Sequence, residues 1–160
     1  MADLNDIFNY PDADDPTEIA EQVARKFSAK GYKLDFSIAS LKNEIDRILK
    51  KEPKEEKYDK TLLEAELTAY FGESICRIFK AKWHGQYFGP FKRSGINYYS
   101  CRVRKNEFEF SPNHFFGYYF TNGSKRQHPF KGYLEGYKSY FEDQEYVVEG
   151  LLIKLKKAGK

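Results

Sequence analysis

Side chains that could bind a partner are concentrated in one segment in the second half of the chain. Tyr98, Arg102 and Arg104 are separated by even numbers of residues, so they share one face if the segment is a β-strand. Lys92 and Arg93 lie shortly before it. Rings and cations on one face suit single-stranded nucleic acid, and Tyr and Arg also dominate the energetics of protein interfaces. We therefore expect these five residues to form a basic, aromatic binding face.

The net charge of +3 is divided unevenly along the chain. Residues 1–59 carry a net charge of −4 and residues 60–160 carry +7, and the segment 80–131 holds ten Lys and Arg against two Glu. Such a block attracts phosphates or an acidic protein, and it is equally found on the solvated side of an ordinary sheet. A sequence pI of about 8.6, without a ribonucleoprotein consensus, favours an acidic protein partner and leaves single-stranded nucleic acid as the alternative.

Residues that could ligate a metal are few and widely spaced. The three histidines, His84, His114 and His128, are spread over 45 positions, and the two cysteines, Cys76 and Cys101, are 25 positions apart. Neither a Cys-x-x-Cys pair nor a His-x-x-x-His pair occurs, and no glycine loop carries the Lys and Ser/Thr of a P-loop. The sequence therefore predicts no bound metal and no organic cofactor.

Cys101 is the one candidate nucleophile, because the neighbouring Arg102 and Arg104 could lower the pKa of its thiol. A buried free cysteine is the commoner outcome in a protein without a disulfide framework, and Cys76, beside Ile75 in an apolar helical segment, is expected to be one. An enzyme with a cysteine nucleophile therefore stays the least favoured of three functional hypotheses.

Gly72 and Glu73 interrupt a helical segment that is otherwise largely apolar. A glycine inside a helix costs ~1 kcal/mol relative to alanine, which indicates a close approach of another backbone at that point. The Glu73 carboxylate could pair with Arg77 one turn later, or reach the region of Trp83 and bond backbone amides or a basic strand residue there. We interpret Gly72, Glu73 and Trp83 as a structural motif and not as a catalytic one.

Two stretches carry a resemblance to a known family: Leu34-Asp35-Phe36-Ser37, followed by Ser40-Leu41, and Tyr70-Phe71-Gly72-Glu73, followed by Trp83. Together they resemble a loose family of small bacterial cytoplasmic proteins for which no activity is established. Here Phe71 replaces the usual Leu, and Lys80-Ala81-Lys82 stands where the family has two glycines. Over residues 34–83 the resemblance implies a helix–helix–strand order and a fixed structural role for Gly72 and Glu73, and it supplies no catalytic residue.

Helical periodicity and capping signals predict three helices in the first half of the chain, over 16–30, 38–51 and 61–80. The first has Asp15 as N-cap and Gly31 just past its end, and the second begins after Ser37. The third is apolar over more than half of its circumference, so we expect it to be the central helix of the fold. The charged stretch 50–60 is predicted to be a loop.

The second half reads as strands followed by helices. Alternating residues and Gly/Pro turns predict an antiparallel meander over 83–111, and 112–121 fits either a short helix or a fourth strand. Helical patterns return after Pro129 and near Glu145. Since 21 of the 28 aromatic residues lie within 70–141, we expect the core to be built in that segment. The predicted fold class is α+β, with N-terminal helices packed on a central antiparallel β-meander and two or three C-terminal helices after it.

The composition is that of one globular domain, with 41% hydrophobic and 32% charged residues in 160. Residues 1–15 are acidic with few apolar anchors, so we expect them to be loosely ordered before a single domain at 16–160. No secretory signal or apolar run of ~18 residues is present, which favours the cytoplasm and no membrane association. The sequence therefore predicts a non-enzymatic cytoplasmic protein-binding module, of an accessory or immunity type.

Overall fold

The computed structural model describes residues 16–84, 102–105, 108–110 and 112. In chain order the elements are helix α1 (Pro16–Ala29), helix α2 (Ile38–Lys51), a 3₁₀ turn (Glu52–Lys54), helix α3 (Lys60–Phe79), and strands β1 (Lys82–His84), β2 (Arg102–Lys105) and β3 (Phe108–Phe110). The bounds predicted for the three helices agree with these to within one residue. Among the described residues, no helix has the length and apolar character needed to cross a membrane.

Helix α1 is amphipathic and ends at a glycine. Its buried stripe contains Ile19, Val23 and Phe27, at the spacing of one helix face. The chain then leaves the helix through Gly31, whose φ of 94° is a conformation that L side chains rarely adopt. The amide of Tyr32 donates to the Phe27 carbonyl at 3.0 Å, which satisfies one of the free carbonyls at the helix end.

Helix α2 begins at a side-chain cap. Ser37 is extended, and its hydroxyl accepts a hydrogen bond from the amide of Ser40 at 3.1 Å. The helix buries Leu41, Ile45 and Ile48 and continues directly into the 3₁₀ turn, which contains Pro53. The charged stretch predicted to be a loop is therefore helical up to position 54.

Helix α3 is the central element, as its composition predicts. Every residue from Ala65 to Cys76 is buried, and Leu67, Tyr70, Phe71 and Ile75 have no exposed surface. Asp59 caps its start by accepting from the Leu62 amide at 3.0 Å. α1 and α2 pack against this helix, and β1 and β2 contact it as well. A helix surrounded by other elements must be apolar nearly all round, and this is the signal that the sequence carried.

The three strands form a small antiparallel sheet in the order β1-β2-β3. Val103 pairs with Trp83 on one side and with Phe110 on the other. Within the described residues, β1 and β3 have three residues each and β2 has four.

The predicted fold class, α+β around a central β-meander, is wrong. The described residues are mostly helical, and their core consists of residues between Ile19 and Ala81, that is, of the three helices and the segments that join them. Residue alternation identifies strands, but it does not determine their length or where the core lies. The apolar stripes of α1 and α2 are buried mainly against α3, so a sheet is not needed to cover them. The predicted strands within 85–101 and the helices after 112 lie outside the described residues.

Candidate functional site

A row of basic positions crosses the first two strands. Lys82 of β1 is directly opposite Arg104 of β2, and His84 is opposite Arg102. Directly opposed residues of an antiparallel pair share a face, and positions two apart along a strand share it too. These four positions, which we call the basic row, therefore lie on one face of the sheet. Lys82 is exposed.

Trp83 lies between Lys82 and His84 and so belongs to the other face of the sheet. Its indole packs against α3 at Gly72. A Cβ atom built at that glycine would lie 2.1 Å from Cη2 of the indole, 2.5 Å from Cζ2, and 2.9 Å from Cγ of Pro112. The sequence correctly indicated a close approach at Gly72, but the approaching groups are an indole and a proline ring and not a second backbone.

Glu73 collects hydrogen bonds from three elements. One carboxylate oxygen, Oε1, accepts from the Trp83 indole at 3.1 Å and from the Thr17 hydroxyl of α1 at 2.7 Å. The other, Oε2, accepts from Nε of Arg77 at 3.1 Å. Glu73 is 5% exposed. The predicted pairing with Arg77 is therefore confirmed. The carboxylate also reaches the region of Trp83, where the donor is the indole, and Thr17 is a partner that sequence periodicity gave no reason to choose.

Arg77 extends this network towards α1 and the start of α2. Its Nη2 donates to Glu21 at 3.1 Å, and its guanidinium lies 3.8 Å from the centre of the Phe36 ring. The backbone of Phe36 has a φ of 61°, which is rare for a bulky residue. The Phe36 amide donates to the Tyr70 hydroxyl at 3.0 Å, and this contact helps to hold the strained conformation.

The two sequence motifs thus meet in one hydrogen-bonded cluster. The Tyr70 hydroxyl also hydrogen-bonds the Ser40 hydroxyl at 2.5 Å, and the Asp35 carboxylate accepts from both the amide and the hydroxyl of Ser37. These bonds to Ser37 lower the pKa of Asp35, while burial raises the pKa of Tyr70. A phenol that keeps its proton is a hydrogen-bonding group here and not a general base.

A separate cleft of about 370 Å³ lies where the end of α1, the 3₁₀ turn and the start of α3 meet. Its walls carry two salt bridges, Lys26 to Glu66 at 2.7 Å and Lys30 to Glu52 at 2.5 Å. The Tyr32 hydroxyl donates to Glu52 at 3.3 Å. Each of these charged groups already has a partner of opposite charge, so a charged ligand would have to displace one of them.

The described cysteine cannot act as a nucleophile in this state. Cys76 is 8% exposed, and burial raises the pKa of its thiol to about 12. The thiol is therefore protonated at neutral pH, as expected for a packing residue. Among the residues that the structure describes, no three metal-binding side chains come together. The candidate nucleophile Cys101 lies outside that part of the chain.

The structure brings some of the predicted site residues together. Arg102 and Arg104 share a face, as period two requires, and they are joined there by Lys82 and His84, which the sequence did not single out as site residues. Only the register between β1 and β2, which the sequence leaves open, could have found these two. The other members of the predicted face, Tyr98, Lys92 and Arg93, lie outside the described residues.

Comparisons with known protein families, with curated proteins and with solved structures gave no match in any of the three sets.

Proposed function

We propose that this chain is a protein-binding module that recognises an acidic protein surface through the basic row. The observation that carries the proposal is the strand register, which puts Lys82 beside Arg104 and His84 beside Arg102. Lys82 and Arg104 carry like charges directly opposite each other, which weakens a strand pair. Negative charges on an acidic partner would offset that repulsion, so binding such a partner is electrostatically favourable for the sheet.

Charge along the chain supports the same partner. The segment that supplies the row holds ten basic residues against two acidic ones, whereas residues 1–59 are net acidic. Complementary potentials steer association and exclude wrong partners, and arginine is among the residues that contribute most to interface energetics.

The test uses poly-L-glutamate as an acidic polypeptide probe. Binding is measured by isothermal titration calorimetry at about 150 mM salt, where the Debye length is ~8 Å and only close charges contribute strongly. The test variant carries Arg102→Glu and Arg104→Glu. The matched control carries Lys54→Glu and Lys57→Glu, which make the same change of net charge at two exposed positions after α2.

We expect the wild type to bind and the Arg102/Arg104 variant to lose at least about tenfold in affinity, equivalent to ~1.4 kcal/mol. The control variant should lose much less. An equal loss in both variants would mean that the probe responds to net charge alone, and the proposal would then be rejected.

A parallel titration with oligo-dT of twenty nucleotides tests the nucleic-acid alternative. Affinity for single strands falls with salt at a slope of ~0.7 per neutralised phosphate, so weak binding should disappear at physiological salt. Micromolar binding of the oligonucleotide that persists there, and that Arg102→Glu abolishes, would replace the proposed protein partner by a nucleic acid.

A further inference from the structure

We infer that Glu73 is a positioning residue for the basic row, acting through the indole of Trp83. This inference rests on the proposed function and deepens it, because it identifies what sets the face on which the row lies. Glu73 itself belongs to α3 and is buried, whereas the row lies on the face of the sheet opposite to Trp83.

The first step is the slot at Gly72. The absence of a side chain there is what admits the indole, since a Cβ atom would lie 2.1 Å from it. Contacts this short are not tolerated between real atoms, so any larger residue would move Trp83. The seat of the indole is therefore defined by shape.

The second step is the hydrogen bond from the indole to Glu73 at 3.1 Å. Shape limits where the ring lies, and the fixed acceptor specifies the direction of its N–H. The carboxylate is itself fixed by Thr17 of α1 and Arg77 of α3, so the position of Trp83 is tied to both helices.

The alternation of side chains along β1 connects the position of Trp83 to the basic row. Side chains alternate between the faces of a strand, so placing position 83 towards α3 places positions 82 and 84 on the opposite face. The pairing of Trp83 with Val103 then places Arg102 and Arg104 there as well. A slip of one residue in that pairing would turn positions 102 and 104 towards α3. The Trp83 seat thus sets the face of β1 on which the row begins, and the pairing with β2 extends the row across that face.

The test compares Glu73→Met with Glu73→Gln and with a control, Glu52→Met. Methionine removes the acceptor and the charge, whereas glutamine keeps an oxygen that can accept from the indole. Glu52 is a second buried carboxylate, 8% exposed, whose donors are Lys30 and Tyr32 and not residues of the sheet. Both methionine variants remove one negative charge.

Poly-L-glutamate binding gives the first readout. If Glu73 acted only through its charge, removing it would strengthen binding of an acidic probe, and Glu52→Met would do the same. We expect the opposite sign at position 73: Glu73→Met should weaken binding by at least about fivefold, the lower end of typical coupling between sites. Glu73→Gln should restore most of the affinity. Glu73→Met binding as tightly as Glu52→Met would overturn the inference.

The indole N–H signal gives the second readout, which needs no ligand. Trp83 is the single tryptophan of the chain, so its indole gives one assignable resonance. We expect hydrogen exchange at this N–H, and at the amides of 102–105, to accelerate in Glu73→Met and to be unchanged in Glu52→Met. Unchanged exchange in Glu73→Met would overturn the inference even if the probe binds. If the wild type fails to bind the probe, the proposed function falls, and the exchange data alone then decide whether Glu73 positions the strands.

Discussion

Two buried carboxylates, Glu52 and Glu73, show how the same side chain can serve different purposes. Glu52 accepts from Lys30 and Tyr32, so its bonds connect the start of the 3₁₀ turn to a short segment that follows α1. Lys30 is 43% exposed at the edge of an open cleft. Glu73 instead accepts from an α1 hydroxyl, an α3 guanidinium and a β1 indole.

The two regions differ in the hydrogen-bond donors that would lose their acceptor if the carboxylate were removed. If Glu52 is removed, the Lys30 ammonium can turn into water, so that bond contributes little net stability, and only the buried Tyr32 hydroxyl is left without its acceptor. The Trp83 indole is half-buried and its N–H is held between a helix and a sheet, so without Glu73 this donor would keep part of its desolvation cost, and Thr17 and Arg77 would lose an acceptor as well. The bonds of Glu52 therefore join two short segments locally. Those of Glu73 form the junction between the helices and the sheet.

The largest expected effects come from the apolar core, which serves as the baseline for this comparison. Leu67 and Ile75 are both 0% exposed, and they lie on α3 on opposite sides of Gly72 along the chain. Leu67→Ala and Ile75→Ala should each lower the free energy of unfolding by ~2–5 kcal/mol in urea denaturation, because each leaves a cavity. Costs below ~1 kcal/mol at both positions would show that α3 is not the centre of the core.

Glu73→Ala is expected to cost more stability than Glu52→Ala. Loss of Glu73 removes acceptors for Thr17, Arg77 and Trp83, and hydrogen bonds to charged groups contribute ~1.5–3 kcal/mol each. Because Arg77 is 42% exposed and can be rehydrated, we expect a total of ~2–4 kcal/mol for Glu73→Ala. For Glu52→Ala we expect ~1–2 kcal/mol, because Lys30 can be rehydrated while the buried Tyr32 hydroxyl loses its acceptor. Equal losses of unfolding free energy in the two variants, measured by urea denaturation, would show that the two carboxylates contribute alike.

The sequence singled out Glu73 as a structural residue and gave no such indication for Glu52, for physical reasons. Glu73 stands out because a charged residue beside a glycine interrupts an apolar helical pattern, and its partner Arg77 follows at the spacing of one turn. Glu52 lies in a run of charged residues, where nothing distinguishes the residue that becomes buried. Burial at such a position depends on how the connections fold back, and local spacing does not contain this information.

The same limit explains the error in the fold class. Helix bounds were predicted to within one residue because capping residues and 3.6-residue periodicity are local signals. Whether the sheet or the helices form the core is decided by long-range packing, and the alternation in 96–104 does not report on it. In the candidate site, the shared face of Arg102 and Arg104 followed from period two, whereas the addition of Lys82 and His84 required the register.

Gly72→Ala should break the junction while leaving every hydrogen-bonding group in place. The new methyl group would displace the indole or the helix, and overpacking of this kind costs ~1–3 kcal/mol. The gain in helix propensity, ~1 kcal/mol, offsets part of this. We expect a net loss of stability together with a red shift of the Trp83 fluorescence, since the displaced indole meets more water.

A double-mutant cycle sharpens this prediction. In a Trp83→Leu background the two shortest contacts at Gly72 are absent and the contact with Pro112 at 2.9 Å remains, so Gly72→Ala should cost much less stability there. Loss of stability of the same size in both backgrounds would mean that the indole is not what excludes a side chain at position 72.

The smallest expected effect is at Tyr70, which joins the two sequence motifs on the side of α3 that meets α2. Tyr70→Phe removes the hydroxyl that accepts from the Phe36 amide and bonds Ser40, and it should cost about 1 kcal/mol at neutral pH.

Burial raises the pKa of Tyr70, so the unfolded chain loses this proton at a lower pH than the folded one does. The stability linked to that proton is complete below the ordinary tyrosine pKa of ~10 and is lost as pH rises through the higher folded pKa.

The wild type should therefore lose stability above about pH 10, and Tyr70→Phe should lose less over the same interval. Tyr32 and Tyr58 also have raised pKa values and keep part of the alkaline loss in both proteins, so the difference between the two curves is what reports on Tyr70. Urea denaturation at pH 8 and at about pH 10.5 measures it. Parallel curves for the two proteins would mean that the Tyr70 hydroxyl is reached by water in the folded state. The contact between the motifs would then be too loose to fix the start of α2, and the strained backbone at Phe36 would have to be held by its ring contacts with Tyr70 and Arg77 alone.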